Sequence, residues 1–283
     1  MNYRNTLGLL FCSLLFLLGF LLHGNLGLYI NLSGLLIVCG GSLAATLLSF
    51  RLEQLVILYK VITSAYSTPV RKETEIVNLL IDLSIKSKAE GVLSLQENEH
   101  ETTILFLRRA LGCLVDGYEI DQIRDILNTE MYFFKLRRED SERVLRSIAE
   151  YFPAFGIIGS VVGLITMIGG IGDSAMLITA IPIALTSTLY GLIFANFFML
   201  PFAALIRERT RQELLLQKMI MEGVISISSE MNSVILKTKL ESFLTPSARR
   251  TAIIDYDKLR RRFNIQREER EEQENTTEKD EDS

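Results

Sequence analysis

The hydroxyl groups that this sequence places inside charge-free stretches are the residues with the most chemical potential. Thr186, Ser187 and Thr188 sit in a run without Lys, Arg, Asp or Glu from Ser174 to Ile206, and Ser160 and Thr166 sit in another from Tyr151 to Gly172. Pro153, Pro182 and Pro201 mark the same stretches. A proline lacks an amide hydrogen, so the carbonyl one turn back is left for another partner. Hydroxyl oxygens and freed carbonyls can surround a cation or relay a hydrogen bond, but none of them titrates. Ion and proton relays are normally marked by an ionisable group within the membrane, and these stretches hold none. If an ion passes here, the carboxylate that carries it belongs to another polypeptide. The competing reading is an inert anchor whose small and hydroxylated residues only pack. Two proline-broken stretches with small faces and paired threonines point instead to a wall that lines something.

The elements that would position these groups are long helices. Ser174 to Ile206 would extend about 50 Å as a helix, more than the roughly 30 Å hydrocarbon core of a bilayer. Ala184, Thr188, Gly191 and Ala195 recur at i, i+4, i+7 and i+11, which is one helical face narrow enough for another helix to approach. Gly156, Gly159, Gly163 and Gly170 form a matching stripe in the preceding stretch. Phe152-Pro153 reads as the start of that helix, since proline is sterically welcome in a first turn. The short Gly169–Asp173 link makes the two stretches a hairpin.

A second hairpin opens the chain. Asn5 to Phe50 holds no charged residue, and His23-Gly24-Asn25 breaks it into spans near 6–23 and 30–50. A cleaved signal peptide is disfavoured, because the apolar stretch is long and no small-x-small site precedes the next span. Residues 51–150 are too polar to cross a membrane and show helical patterns. These run through Leu55, Ile57, Leu58 and Val61, then Ile76, Leu79, Leu80 and Leu83, then Ile104, Leu105, Leu107, Leu111 and Leu114. Gly91, Gly117 and Gln96–Glu101 punctuate them as turns. Residues 207–248 read as a helical extension through Met219, Ile220, Val224 and Ile227, and 249–283 as a charged, disordered tail.

Basic residues set the orientation. Arg51 and Lys60 follow the second span, Arg137, Arg138, Arg143 and Arg146 precede the third, and Arg207, Arg209 and Arg211 follow the fourth. The two short outer loops contain no Lys or Arg, so the positive-inside rule puts both termini and the 51–150 domain in the cytoplasm. The expected fold is all-α: a polytopic membrane protein with four transmembrane helices and a helical cytoplasmic domain.

Other function classes fit poorly. A net charge of −4 with no concentrated basic face argues against nucleic acid. Cys12, Cys39 and Cys113 make neither a disulfide framework nor a zinc spacing. His100, beside Glu97, Glu99 and Glu101, reads as a solvated turn. With no nucleophile–base pair, phosphate loop or metal cluster, neither an enzyme nor a bound cofactor is expected.

Several stretches resemble one known family. Ala184-Leu185-Thr186-Ser187-Thr188-Leu189-Tyr190-Gly191 with Pro201 resembles the fourth-span signature of the flagellar motor stator A subunits, the MotA/PomA family, with Ser187 as a slight departure. Phe152-Pro153-Ala154-Phe155-Gly156-Ile157-Ile158-Gly159 is similar to the start of that family's third span. Lys88-Ala89-Glu90-Gly91-Val92-Leu93-Ser94-Leu95, Val115-Asp116-Gly117 and Met221-Glu222-Gly223-Val224 match three further family stretches. The resemblance covers roughly residues 1–245; the chain departs around Glu230–Val234 and in its acidic tail.

The resemblance implies five such chains around two copies of a single-span, peptidoglycan-binding B subunit whose aspartate carries the ion, H+ or Na+. It implies a bacterial inner membrane, contact with lipid, and a cytoplasmic domain that pushes on the flagellar rotor switch protein. Thr188, Ser160, Thr186 and Tyr190 fall on the implied ion pathway, and Pro153 and Pro201 on prolines implicated in coupling ion flow to movement. Ser160 stands where sodium-driven relatives often carry Thr. Arg108, Arg109, Asp116 and Glu119 fall in the stretch that bears rotor-facing charges, and the i to i+8 spacing puts Arg108 and Asp116 near one side of a helix. A TolQ/ExbB-like motor that energises the cell envelope is the nearest alternative, disfavoured by the N-terminal double crossing. A non-conducting scaffold is the more distant one.

Overall fold

The computed structural model describes residues 26–67, 71–96, 98, 104–170 and 174–246, together with scattered positions between 7 and 22. Most of the first expected span, its break at His23-Gly24-Asn25, the His100 cluster and the 249–283 tail lie outside the described residues. Among the described residues every regular element is helical and none is a strand. In chain order these are a 3-10 turn at Leu26–Tyr29, α1 (Leu32–Ser49), α2 (Leu52–Ser67), α3 (Glu73–Glu90), a 3-10 turn at Val92–Leu95 and α4 (Leu105–Val115). There follow α5 (Ile120–Gly169), α6 (Ser174–Ile193), a π-helical segment at Phe194–Met199, α7 (Leu200–Ser228) and α8 (Ser233–Glu241). Three of the described helical stretches are long and apolar enough to cross a membrane: Leu32–Ser49, Ile120–Gly169 and Ala180–Ser228.

The chain divides into two compact units, residues 1–69 with 134–211 and residues 70–133 with 212–283. In the first, Val38 of α1, Phe152 of α5 and Ala195 form one apolar cluster. Leu58 of α2, Val144 and Leu145 of α5, and Ala203 and Ile206 of α7 form another. The second unit is a helical bundle with a continuous apolar core. Ile76, Val77, Leu80, Ile81 and Leu83 of α3 pack with Phe106, Leu107, Leu111 and Leu114 of α4, and with Met219, Ile220, Val224 and Ile227 of α7. The α7 residues expected to continue the helix after the fourth span are therefore core residues. Glu222 joins α7 to α8: Lys239 Nζ lies 2.7 Å and Lys218 Nζ 3.2 Å from its carboxylate. Burial pushes its carboxyl up, but the bonds and charges of Lys239 and Lys218 outweigh burial and hold it below the usual glutamate range.

The structure corrects several sequence readings: Ile57 is exposed on α2, and Pro182 lies within an unbroken α6. Pro153 does not start a helix; it lies inside the 50-residue α5. The charged stretch before it is already helical, laced by Glu142–Arg146 at 2.8 Å and Lys135–Glu139 at 3.6 Å. The missing amide of Pro153 leaves the Ala149 carbonyl without its partner one turn on. Leu105 is not a core residue but 74% exposed. Once α4 begins at Leu105, Phe106, Leu107, Ala110, Leu111 and Leu114 share its buried face and Leu105 falls opposite.

Candidate functional site

In the first unit, α5 and α6 meet along their small residues, and the approach is so close that side chains would block it. A Cβ on Gly163 would stand 2.5 Å from Ala184 N, and one on Gly191 would stand 2.5 Å from the Phe152 carbonyl oxygen. A Cβ on Gly156 would lie 3.1 Å from the Ser187 carbonyl oxygen. The face formed by Ala184, Thr188, Gly191 and Ala195 is thus the contact with α5, as its spacing suggests.

Two hydroxyls meet at this seam. Ser160 Oγ of α5 and Thr188 Oγ1 of α6 hydrogen-bond to each other, and both side chains are half-buried. Ser160 Oγ also lies 2.5 Å from Ala184 O and 3.2 Å from Gly156 O. Thr188 Oγ1 reaches Gly156 O at 3.5 Å. Two hydroxyl oxygens and two carbonyl oxygens converge there. Oxygens of these types are ligands of hard cations, but here they hydrogen-bond one another, and none of them can hold a proton by titration.

The other expected ion-pathway residues lie elsewhere. Thr186 is two residues from Thr188 and so about 200° away around the helix. It is buried, its Oγ1 donates to Pro182 O at 2.6 Å, and it faces Gly34 of α1. Tyr190 points its hydroxyl at the entry to α1, donating to the Tyr29 carbonyl and accepting from Asn31 N. Pro153 lies one turn before Ser160's neighbour Gly156, whereas Pro201 is about 20 Å of helix beyond Thr188.

Pro201 does not break its helix. The turn before it widens instead: Phe194–Met199 is π-helical, and Leu200 N–H donates to Ala195 O, one residue further back than in an α-helix. A proline ring at 201 would press on the Phe197 carbonyl in an α-turn, and the wider turn takes up that clash. Asn196 Nδ2 of the segment donates back to Leu192 O of α6 at 2.9 Å, and Phe194 stacks on Phe152 of α5 at 5.2 Å between ring centroids. π-turns of this kind recur at functional sites. The π-turn did not stand out in the sequence, and neither did the burial of Ser187, which is packed fully against Gly34 and Gly159. The steric need of Pro201 is the sequence signal for the first, and the small residue Gly159 on the facing helix is the signal for the second.

In the second unit, the four expected rotor-contact residues are all exposed. Arg108 and Arg109 project from the outer face of α4, Asp116 ends that helix, and Glu119 follows the turn. Gly117, at φ 77, closes α4: its N–H donates to Leu114 O at 3.2 Å and Tyr118 N to Cys113 O at 3.1 Å. This is a Schellman ending, which needs a residue tolerant of positive φ at that place. Glu119 N then donates to Gln122 Oε1 at 3.0 Å as α5 begins. Arg109 Nε lies 3.2 Å from Glu130 Oε2. The four charges therefore lie on α4 and on the hydrogen-bonded turn that joins it to α5.

Comparison with known proteins agrees with this architecture. The profile of the MotA/TolQ/ExbB proton channel family matches residues 97–219. The chemotaxis protein PomA of Vibrio alginolyticus is 28% identical over 88% of this chain and 98% of its own. Motility protein A of Borreliella burgdorferi is 31% identical over 80% of this chain and 86% of its own. In fold, the chain resembles the solved flagellar MotAB stator complex from Bacillus subtilis, with a TM-score of 0.80 at 22% identity over 87% of this chain and 97% of that one. This chain belongs to the MotA/PomA group of the MotA/TolQ/ExbB proton channel family.

Proposed function

We propose that this chain is the A subunit of an ion-driven flagellar stator, a multi-pass protein of the bacterial inner membrane that generates torque with a B-type partner. The observation that carries this reading is the Ser160–Thr188 seam: oxygen ligands within charge-free helices, with no carboxylate of their own. A channel wall of that kind needs a partner that brings the titrating group. The chain crosses four times with both termini and the second unit in the cytoplasm, and five copies surround two single-span, peptidoglycan-binding B subunits. It is not an enzyme and holds no cofactor; the ion is its cargo. The Ser160 hydroxyl, which can coordinate sodium or simply satisfy a helix carbonyl, tilts the choice of ion towards sodium, and the partner's carboxylate would serve either ion.

Motility tests the reading. A strain deleted for this chain should lose swimming or swarming, and the restored chain should return it in proportion to external sodium. Normal motility in the deletion strain would refute the function, and sodium-independent rescue would assign the proton instead.

The corner bearing Arg108, Arg109, Asp116 and Glu119 is proposed as the rotor contact. Charges across a transient interface chiefly steer and register it, so single neutralisations should slow swimming only mildly. Arg108→Glu with Asp116→Lys should stop it, and reversing the matching rotor charges should restore it. Charge reversal whose effect never depends on the rotor's charge would place the contact elsewhere.

A further inference from the structure

The chain enters α1 through backbone that is not α-helical. Leu26–Tyr29 form a 3-10 turn, and Asn31 is extended at φ −127 and ψ 107. Its polar groups are closely matched: Ile30 N donates to Gly27 O at 3.3 Å, Gly34 N to Asn31 Oδ1 at 2.9 Å, and Leu35 N to Asn31 O at 3.0 Å. The Tyr29 carbonyl and the Asn31 N–H share one partner, the hydroxyl of Tyr190. It donates to Tyr29 O and accepts from Asn31 N at 2.8 Å.

Tyr190 lies near the middle of the charge-free run, about 24 Å of helix from Ser174 and about 26 Å from Arg207. The entry turn leads directly into a membrane span, where irregular backbone persists only if protein groups satisfy it. A phenol suits the task, because one oxygen on a rigid ring both donates and accepts. The contact also sets where α1 lies. A Cβ at Gly34 would stand 2.8 Å from Ser187 Oγ and 3.2 Å from Thr186 Oγ1, and one at Gly159 would stand 3.5 Å from Ile37 Cγ2. Gly34 and Ile37 therefore press on the residues adjoining the Ser160–Thr188 seam.

We propose that Tyr190 is a positioning residue: its hydroxyl locks the entry turn of α1 onto α6 and thereby holds α1 behind the hydroxyl seam, instead of lining the ion path. This rests on the proposed membrane crossing of α6, and not on the identity of the ion.

Hydrogen exchange of the full-length protein in lipid nanodiscs tests it. Tyr190→Phe should speed exchange of the Asn31 amide at least tenfold while the α6 amides keep their protection. Placing 4-aminophenylalanine at 190, which again offers a donor and an acceptor, should restore it. Unchanged protection of Asn31 in Tyr190→Phe, or no rescue by the amino analogue, would overturn the proposal. Should the phenylalanine variant fail to accumulate, 4-fluorophenylalanine at 190, which keeps the ring's bulk but cannot donate, takes its place: faster exchange of Asn31 supports the proposal, and protection equal to the parent contradicts it. Failure of the membrane reading would show separately, as fast exchange of the α6 amides in the unaltered protein.

Discussion

Gly191→Ala is expected to reduce the amount of folded protein in the membrane and, with it, motility. The added Cβ would stand 2.5 Å from the Phe152 carbonyl oxygen and 3.2 Å from Gly156 Cα. Both are backbone atoms, so relief requires α5 and α6 to move apart. Overpacking of this kind costs about 1–3 kcal/mol, enough to lower the midpoint of thermal unfolding in detergent. Gly163→Ala, aimed at Ala184 N at 2.5 Å, should behave alike. Two further glycines calibrate the effect. Gly41→Ala would meet the Phe155 ring, which can swing aside, and should be milder despite a shorter distance of 2.1 Å. Gly40→Ala meets nothing within 4 Å and should be neutral. A uniform response across the four would mean that close approach of α5 and α6 is not what these glycines provide.

Thr188→Ala should do the reverse: abolish or severely slow swimming while membrane abundance stays normal. It removes one hydroxyl from the seam with Ser160, and hydrogen bonds inside membranes are worth only about 0.6 kcal/mol on average. The fold therefore tolerates the change, whereas an oxygen needed by a passing ion is lost. Ser160→Ala should have a similar effect, and the double variant should be little worse than either alone, because residues that act together are not additive. A membrane-fraction blot beside a swimming assay checks this. Parallel loss of protein and motility would make the pair a packing contact.

The parts of this molecule set by local chemistry could be read from its residues. The α5–α6 contact face is visible in Ala184, Thr188, Gly191 and Ala195, because small side chains at helical spacing have few other uses. The course of α7 into the second unit's core is visible in Met219, Ile220, Val224 and Ile227. What escaped was set by distant partners or by continuity. Pro153 looks the same in a first turn as in a helix interior; only the helicity of the charged stretch before it decides. Thr186 and Thr188 look like a pair in sequence, yet a two-residue step on a helix turns them to different neighbours, α1 for one and α5 for the other. The partners of the Tyr190 hydroxyl lie about 160 positions away, beyond any local pattern. The π-turn at Phe194–Met199 is hidden in a run that is apolar all round, where no periodicity betrays one extra residue.

The proposed ion path has its wall in this chain and its carrier in a partner. The most direct measurement is ion flux into inverted membrane vesicles containing this chain alone, its B-type partner alone, or both. Sodium uptake should appear only when both are present and should fall with Thr188→Ala at equal protein levels. Uptake through this chain alone would contradict the need for a partner's carboxylate, and no uptake of sodium or protons with the partner present would contradict the channel itself.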